Sequence, residues 1–277
     1  MSWRVVTGRR LSRFAAAAVP IAALGLAGCA VLPDGRGWGA DATVTPGWHR
    51  VGRAAVEAAE SPRFWGPLAA AAVFQIDGWD RKVSDWGRRR TPIFGSERNA
   101  AHWSDRLRSA SSYAYLASVI ATPSGDDPED WLLDKLRGAA VGFAAVGATD
   151  EESHLLKNVA ARERPNGQDA QSMPSSHTSR SAALTALAER NVATLPLGAG
   201  ARSLLDFGLD ALTYGTAWAR VESGFHFPSD TLVGMSIGNF NGSFFNDAFL
   251  GLGSQDRLAW TLSALPEGAG LRIDYRF

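Results

Sequence analysis

Residues able to handle an anion cluster in three groups between positions 157 and 230. Lys157 and Arg164 precede Pro165, the run Pro174-Ser175-Ser176-His177 follows, and Arg220, His226 and Asp230 close the series. Seven residues make nearly two helical turns, so on a continuous helix Lys157 and Arg164 share an azimuth, as a solvated face or as a clamp for an anion. Pro228 suits the first turn of a helix, which sets His226 just before that helix and Asp230 inside its first turn. An aspartate so close can accept the proton of one imidazole nitrogen and leave the other as a nucleophile. Pro174 to His177 reads as the start of another helix, whose apolar body begins at Ala182, Leu184 and Leu187. Ser175, Ser176 and the free N–H groups of that first turn form an anion cradle beside His177. Three cations, a cradle of N–H donors and two histidines suit a phosphoryl group, whose transition state spreads negative charge over its equatorial oxygens.

Each piece alone is ordinary. A lysine and an arginine at this spacing are usually a surface face, Ser-Ser before a helix is usually a cap, and His49, His102 and His154 read as packed residues. The acidic run Ser124 to Asp130 reads as a helix start, with Asp127 as the cap, Pro128 in the first turn and Glu129 and Asp130 at the positive end. Calcium-loop spacing is absent there, and no cluster elsewhere has metal-ligand spacing, so no metal is expected. The run Arg88-Arg89-Arg90 reads as a solvated face, with contact to anionic lipid headgroups as the sharper alternative.

Taken in order, the three groups resemble the motifs of the type 2 phosphatidic acid phosphatase superfamily, which also includes bacterial acid phosphatases and vanadium haloperoxidases. Lys157, Arg164 and Pro165 fit its K-x6-R-P pattern. Pro174-Ser175-Ser176-His177 fits P-S-G-H except for Ser176 at the glycine position, and Arg220, His226 and Asp230 fit S-R-x5-H-x3-D except for Ala219 at the serine position. The resemblance implies that Lys157, Arg164, Arg220, Ser175 and the N–H of Ser176 bind phosphate. It implies that His226 attacks phosphorus, Asp230 orients His226, and His177 protonates the leaving oxygen and then activates water. It implies no cofactor; vanadate enters as an inhibitor, or as the cofactor if the chain is a haloperoxidase. The glycine position lets backbone approach phosphate closely, which a small serine can keep, so altered affinity is expected there.

The elements that must position these residues read as helical from Gly47 onward. Ser61 caps a helix opened by Pro62, a break falls at Thr91-Pro92, and small residues abound where helices would pack closely. The exception is the C-terminus, where Leu271, Ile273, Tyr275 and Phe277 alternate with polar residues. The expected fold is therefore an all-α helical bundle, with a core at 63–250 within a domain at 47–250. A tail at 251–277 is expected to form a short β-hairpin. Residues 29–46, rich in Gly, Pro and small polar residues, read as a flexible tether.

Arg4, Arg9, Arg10 and Arg13 precede an uncharged run ending at Cys29, the single cysteine of the chain. That order is an export signal, and Leu26 to Cys29 resembles the lipobox of bacterial lipoproteins, with acylation at Cys29. Ala30 after it favours the outer membrane by the same resemblance. Removal of residues 1–28 takes four of the 28 basic residues and none of the 28 acidic ones, so charge offers no argument for nucleic acid. The longest internal apolar run, Gly138 to Ala148, has 11 residues, short of the roughly 20 that span a bilayer. The expected protein is an exported, lipid-anchored phosphatase facing the periplasm, acting on phosphomonoesters or diphosphates, lipid-borne ones included. A vanadium haloperoxidase and a non-catalytic envelope lipoprotein with a relic fold are the alternatives.

Overall fold

The structure, a computed structural model, describes residues 30–252 and the backbone of 258–265 and 268–275. Cys29 and the export segment lie outside the described residues. Eight helices follow in order: α1 Trp48–Glu60, α2 Pro62–Val73, α3 Trp79–Arg90, α4 Glu97–Ala121, α5 Pro128–Ala160, α6 Ser176–Ala193, α7 Ala199–Glu222 and α8 Pro228–Phe245. After α8 the chain tightens into a π-turn at Asn246–Leu250, and strands β1 Leu258–Leu265 and β2 Gly268–Tyr275 pair antiparallel, Leu258 opposite Tyr275 and Leu265 opposite Gly268. The helix starts follow local chemistry. Ser61 accepts the N–H of Arg63, Ser96 that of Asn99, and Asp127 those of Glu129 and Asp130, which satisfies donors a helix cannot satisfy itself.

Helix α6 is the centre, packed against α4, α5, α7 and α8. Its sequence is small and polar rather than oily, yet most of it is buried. Each buried hydroxyl or amide there needs a partner, since an unpaired one costs about 1–3 kcal/mol. Ser179 pairs with Ser153 (2.8 Å), Ser181 with Ser111 (2.6 Å), Thr185 with Thr213 (2.8 Å) and Asn191 with Ser118 (2.9 Å). These bonds tie α6 to α4, α5 and α7 in one register. Against α8 it packs backbone to backbone. A Cβ on Gly234, Gly238 or Gly242 would lie 2.6 Å from the Ser175 carbonyl, 2.1 Å from the Ser179 carbonyl or 2.9 Å from the Ala183 carbonyl. The four-residue spacing puts the three glycines on one face of α8.

Two expectations need correction. Residues 30–46 are not a free tether: Trp38 is 1% exposed and belongs to the main core with Tyr115, Val146 and Leu187. Its backbone N–H donates to Pro123 O (2.8 Å), its ring fills the space left by Gly138, and Thr43 N–H donates to Phe249 O (2.9 Å). A single indole outweighs the loop-like composition around it, because its burial removes so large an apolar surface from water. Beside it the ammonium of Lys135, buried, donates to Val119 O and to the carbonyl and hydroxyl of Thr122, closing the end of α4. Second, α5 runs unbroken for 33 residues and ends at Ala160, with Ala161 left-handed (φ 43°). Arg164 therefore lies beyond the helix, not two turns along it from Lys157.

Alanine normally gains roughly 1 kcal/mol over glycine inside a helix. At Gly238 the sign should invert, since overpacking a close contact costs about 1–3 kcal/mol. Gly238→Ala is expected to lower the midpoint of thermal unfolding, whereas the same change at exposed Gly208 raises it or leaves it level.

Candidate active site

The three motif groups arrive from different elements. Lys157 sits in the last turn of α5 and Arg164 in the following loop. Ser175, Ser176 and His177 open α6, Arg220 ends α7, and His226 and Asp230 flank the start of α8. A hydrogen bond from Ser175 N–H to Asp230 O (3.0 Å) joins the two helix starts directly, at the end of the glycine contact between α6 and α8. Lys157 donates to Gln171 O and Pro174 O (both 2.6 Å), drawing the loop 161–175 back over the end of α5. Arg164 and Arg220 share Phe225, their guanidinium carbons 5.3 and 4.1 Å from its ring centroid. Such stacking holds two like charges near each other while leaving their N–H edges free to bind. Arg164 also pairs with Asp169 (2.5 Å) on the solvent side.

The expected His226–Asp230 contact is replaced by an indirect one. His226 Nδ1 lies 2.5 Å from the carbonyl oxygen of Ser172, and a carbonyl can only accept, so Nδ1 carries the proton and Nε2 the lone pair. Asp230 instead accepts from Ser172 Oγ (2.6 Å) and from the Phe227 N–H (2.8 Å) through one oxygen, and from Arg162 (2.6 Å) through the other. Arg162 also binds Asp80 of α3 (2.7 Å), and Asp80 accepts the N–H of Ser229 (2.9 Å) and its hydroxyl (2.5 Å). The carboxylate thus positions the backbone that positions the imidazole.

His177 Nε2 lies 2.9 Å from Asp105 Oδ1. A carboxylate accepts, so Nε2 donates. Asp105, Arg162, Asp80, Ser172 and Phe225 all belong to the site and were not read from the sequence. Arg162 stands two positions before Arg164 in the same motif. Asp105, Asp80 and Ser172 carry no local signal, since their partners here lie 50 or more positions away in the chain. Phe225, inside the third motif group beside Arg220, meets Arg164 only through the fold.

Electrostatically, Lys157, Arg164 and Arg220 crowd the two histidines, and the carboxylates of the site are already engaged with Arg162, Arg164 and His177. Burial, then the neighbouring Arg164, lowers Lys157 to about 8. Burial, then Arg164, lowers Arg220 to about 10. Burial, with Arg220 next, lowers His177 to about 4 against the pull of Asp105, and His226 falls well below the usual histidine range for the same two leading reasons. Burial raises Asp230 while Arg162, Ser172 and Phe227 pull it down. The hydroxyl of Ser176 and Nε of Arg220 are buried with no hydrogen-bond partner among the described residues. Together with the unpaired N–H groups that open α6, they are donors waiting for an acceptor, which a phosphoryl group supplies. Ser176 thus brings to the cradle a hydroxyl that the family's glycine lacks.

The model of the PAP2 superfamily matches residues 135–247, a span that holds every one of the motif residues. Over that span the match agrees with the resemblance read from the motifs. Among solved structures, one described as the first transmembrane PAP2-type phosphatidylglycerolphosphate phosphatase from Bacillus subtilis is similar at a TM-score of 0.48 and 19% identity, over 65% of this chain and 90% of that one. No curated protein matches.

The lowered histidines fix a sign. Both have folded values below the unfolded 6.5, so between those values the unfolded chain binds more protons and stability falls as pH drops below about 6.5. Thermal melts from pH 7 to 5 should show this fall, and His226→Gln, which removes one buried titration, should flatten it. A slope unchanged by that substitution would contradict a neutral buried His226.

Proposed function

We propose that the chain is a metal-independent phosphatase that hydrolyses phosphomonoesters or diphosphates, those borne on lipids included, through a phosphohistidine. The observation that carries this reading is the state of His226: buried, neutral and with its lone pair on Nε2, beside Lys157, Arg164 and Arg220. Such a nitrogen is a nucleophile without prior loss of a proton. The PAP2-superfamily match supports the phosphatase class. Among the described residues no group of three or more His, Cys, Asp or Glu converges as a metal site, and the mechanism asks none of them to hold one.

In the first step the Nε2 lone pair forms the N–P bond while the P–O bond to the leaving group breaks, its electron pair passing to oxygen. The cations and the α6 donors hold the equatorial oxygens as their charge shifts. His177 gives the leaving oxygen a proton. Lowered to about 4, His177 is neutral near pH 7; a substrate phosphate bound beside it would add the negative charge that favours its protonated form, and Asp105 assists. In the second step neutral His177 takes a proton from water, the water oxygen bonds to phosphorus, and the N–P bond breaks to release inorganic phosphate and neutral His226. Export and acylation at Cys29 belong to the same reading and place the site beside a membrane in the periplasm; Cys29→Ser should shift the protein to the soluble fraction on cell fractionation.

The direct test is phosphate release, in the presence of EDTA, from lipid phosphates, isoprenyl diphosphates and soluble esters. Release should persist in EDTA and fall with orthovanadate. Loss in EDTA that a divalent ion restores would overturn the mechanism. The histidines should separate in rapid-quench labelling. His226→Ala should form no phosphoenzyme with any substrate. His177→Ala should lose about 10²–10⁴-fold on alkyl phosphates, whose leaving oxygen needs a proton, and should accumulate phosphohistidine on nitrophenyl phosphate. Phosphoenzyme in His226→Ala would reassign the nucleophile.

A further inference from the structure

We propose that the outer face of α3, with the turn before it, docks the protein onto an anionic lipid bilayer and sets the active site against that surface. The inner face of α3 is fixed: Asp80, Ser84 and Gly87 are buried, and Asp80 is part of the network that holds Arg162 and Ser229. One flank of the helix and the turn before it carry large apolar groups that are about half exposed, Trp86 with its ring 6.0 Å from that of Trp218. Ile76 is 57%, Trp79 49% and Trp86 47% exposed, and Trp79 and Trp86, seven residues apart, share one flank of the helix. Near them Lys82, Arg89 and Arg90 are exposed, with Arg81 exposed on the other side of the helix, against exposed Asp77 and half-buried Asp85. Arg88 is engaged inward, with Pro165 O (2.6 Å) and Glu97 (3.3 Å), and is not counted among them.

Tryptophan at the level of lipid headgroups together with a surplus of Lys and Arg is the composition of a helix that lies in the membrane interface. The cations select an anionic surface. Other helices expose apolar side chains too, and on α4 exposed Trp103 lies under Arg106 (5.5 Å), but α3 sets two exposed tryptophans on one flank. The stripe Leu204, Phe207 and Tyr214 on α7 has Asp206 and Asp210 between its members and no Lys or Arg from 203 to 218. A cleft that begins at Gln75, next to Ile76 in the turn before α3, is consistent with lipid as the occupant. It is lined by Leu68, Ala71, Ala72, Met173 and Val233 together with the polar Gln75, Arg162 and Ser229. That gives a hydrocarbon chain an apolar path next to the network supporting the site. Among the described residues no helix is long and apolar enough to cross a membrane, so contact through this face is of the surface kind.

The docking surface does not rest on the phosphatase reading; only its consequence for substrate does. The test uses the chain with Cys29→Ser, so that no acyl chain contributes, and measures co-sedimentation with vesicles. Binding is expected to vesicles of phosphatidylcholine and phosphatidylglycerol in equal parts, and to be at least about tenfold weaker with phosphatidylcholine alone. Replacing Arg81, Lys82, Arg89 and Arg90 by Gln should weaken binding to the mixed vesicles at least about tenfold, and Trp79→Ala with Ile76→Ser should weaken it as well. Both variants should release phosphate from a soluble ester at the wild-type rate. Equal binding by wild type and the charge variant overturns the proposal and leaves the catalytic reading intact. The expected binding pattern with no phosphate release by any form removes the phosphatase reading and leaves the docking face. Self-association through this face, lost in the variants and without vesicle binding, assigns it to a second copy and also overturns the proposal.

Discussion

The close backbone contact between α6 and α8 is the constraint on which the site depends. Gly234, Gly238 and Gly242 leave no room for a Cβ against Ser175, Ser179 and Ala183. The two helices start side by side as a result, and Ser175 N–H bonds Asp230 O across the junction. That contact brings the N–H groups opening α6 and the His226–Asp230 start of α8 to one place. Side chains between the helices would hold them further apart, and the same motif residues would then belong to two separate helix ends.

Rigidity around this junction comes from polar groups rather than oil. Asp230 is wholly buried and fully engaged, and Arg162 bridges it to Asp80. Breaking such a buried pair from one side costs about 3–5 kcal/mol, because a charge is left in a medium that cannot solvate it. The network therefore behaves as a unit, and its product is a single orientation for the Ser172 carbonyl and so a single tautomer for His226. Positioning a nucleophile through backbone is stricter than through a free carboxylate, which can rotate.

The cations tell the complementary story. Lys157, Arg164 and Arg220 are held close by carbonyls and by Phe225, with Asp169 on the solvent side of Arg164, and each histidine is driven toward its neutral form by burial first and by these cations second. In the proposed reading, a bound phosphoryl group would offset that repulsion, which would link affinity, protonation and reactivity in one electrostatic event.

The sequence by itself determined the helical class, the caps at Ser61 and Asp127, and the residue types of the site. Those follow from local rules: a capping oxygen, a proline at the first turn, and a spacing of cation, serine and histidine that the chain displays in order. It did not determine how those residues meet. Lys157 and Arg164 were legible as a pair, but the helix ends at Ala160, and it is Phe225, from a distant loop, that aligns Arg164 with Arg220. Asp230 was legible as a partner for His226, yet Ser172 takes the bond, because the loop 161–175 is drawn between them by Lys157. Trp38 was hidden in a segment that composition marks as a tether, and Asp80 and Asp105 reach the site from helices whose own sequence gives no sign of it. Contacts of that kind depend on packing between distant segments. Only the tertiary structure can decide them, since no local preference of the chain encodes which distant group will stand opposite.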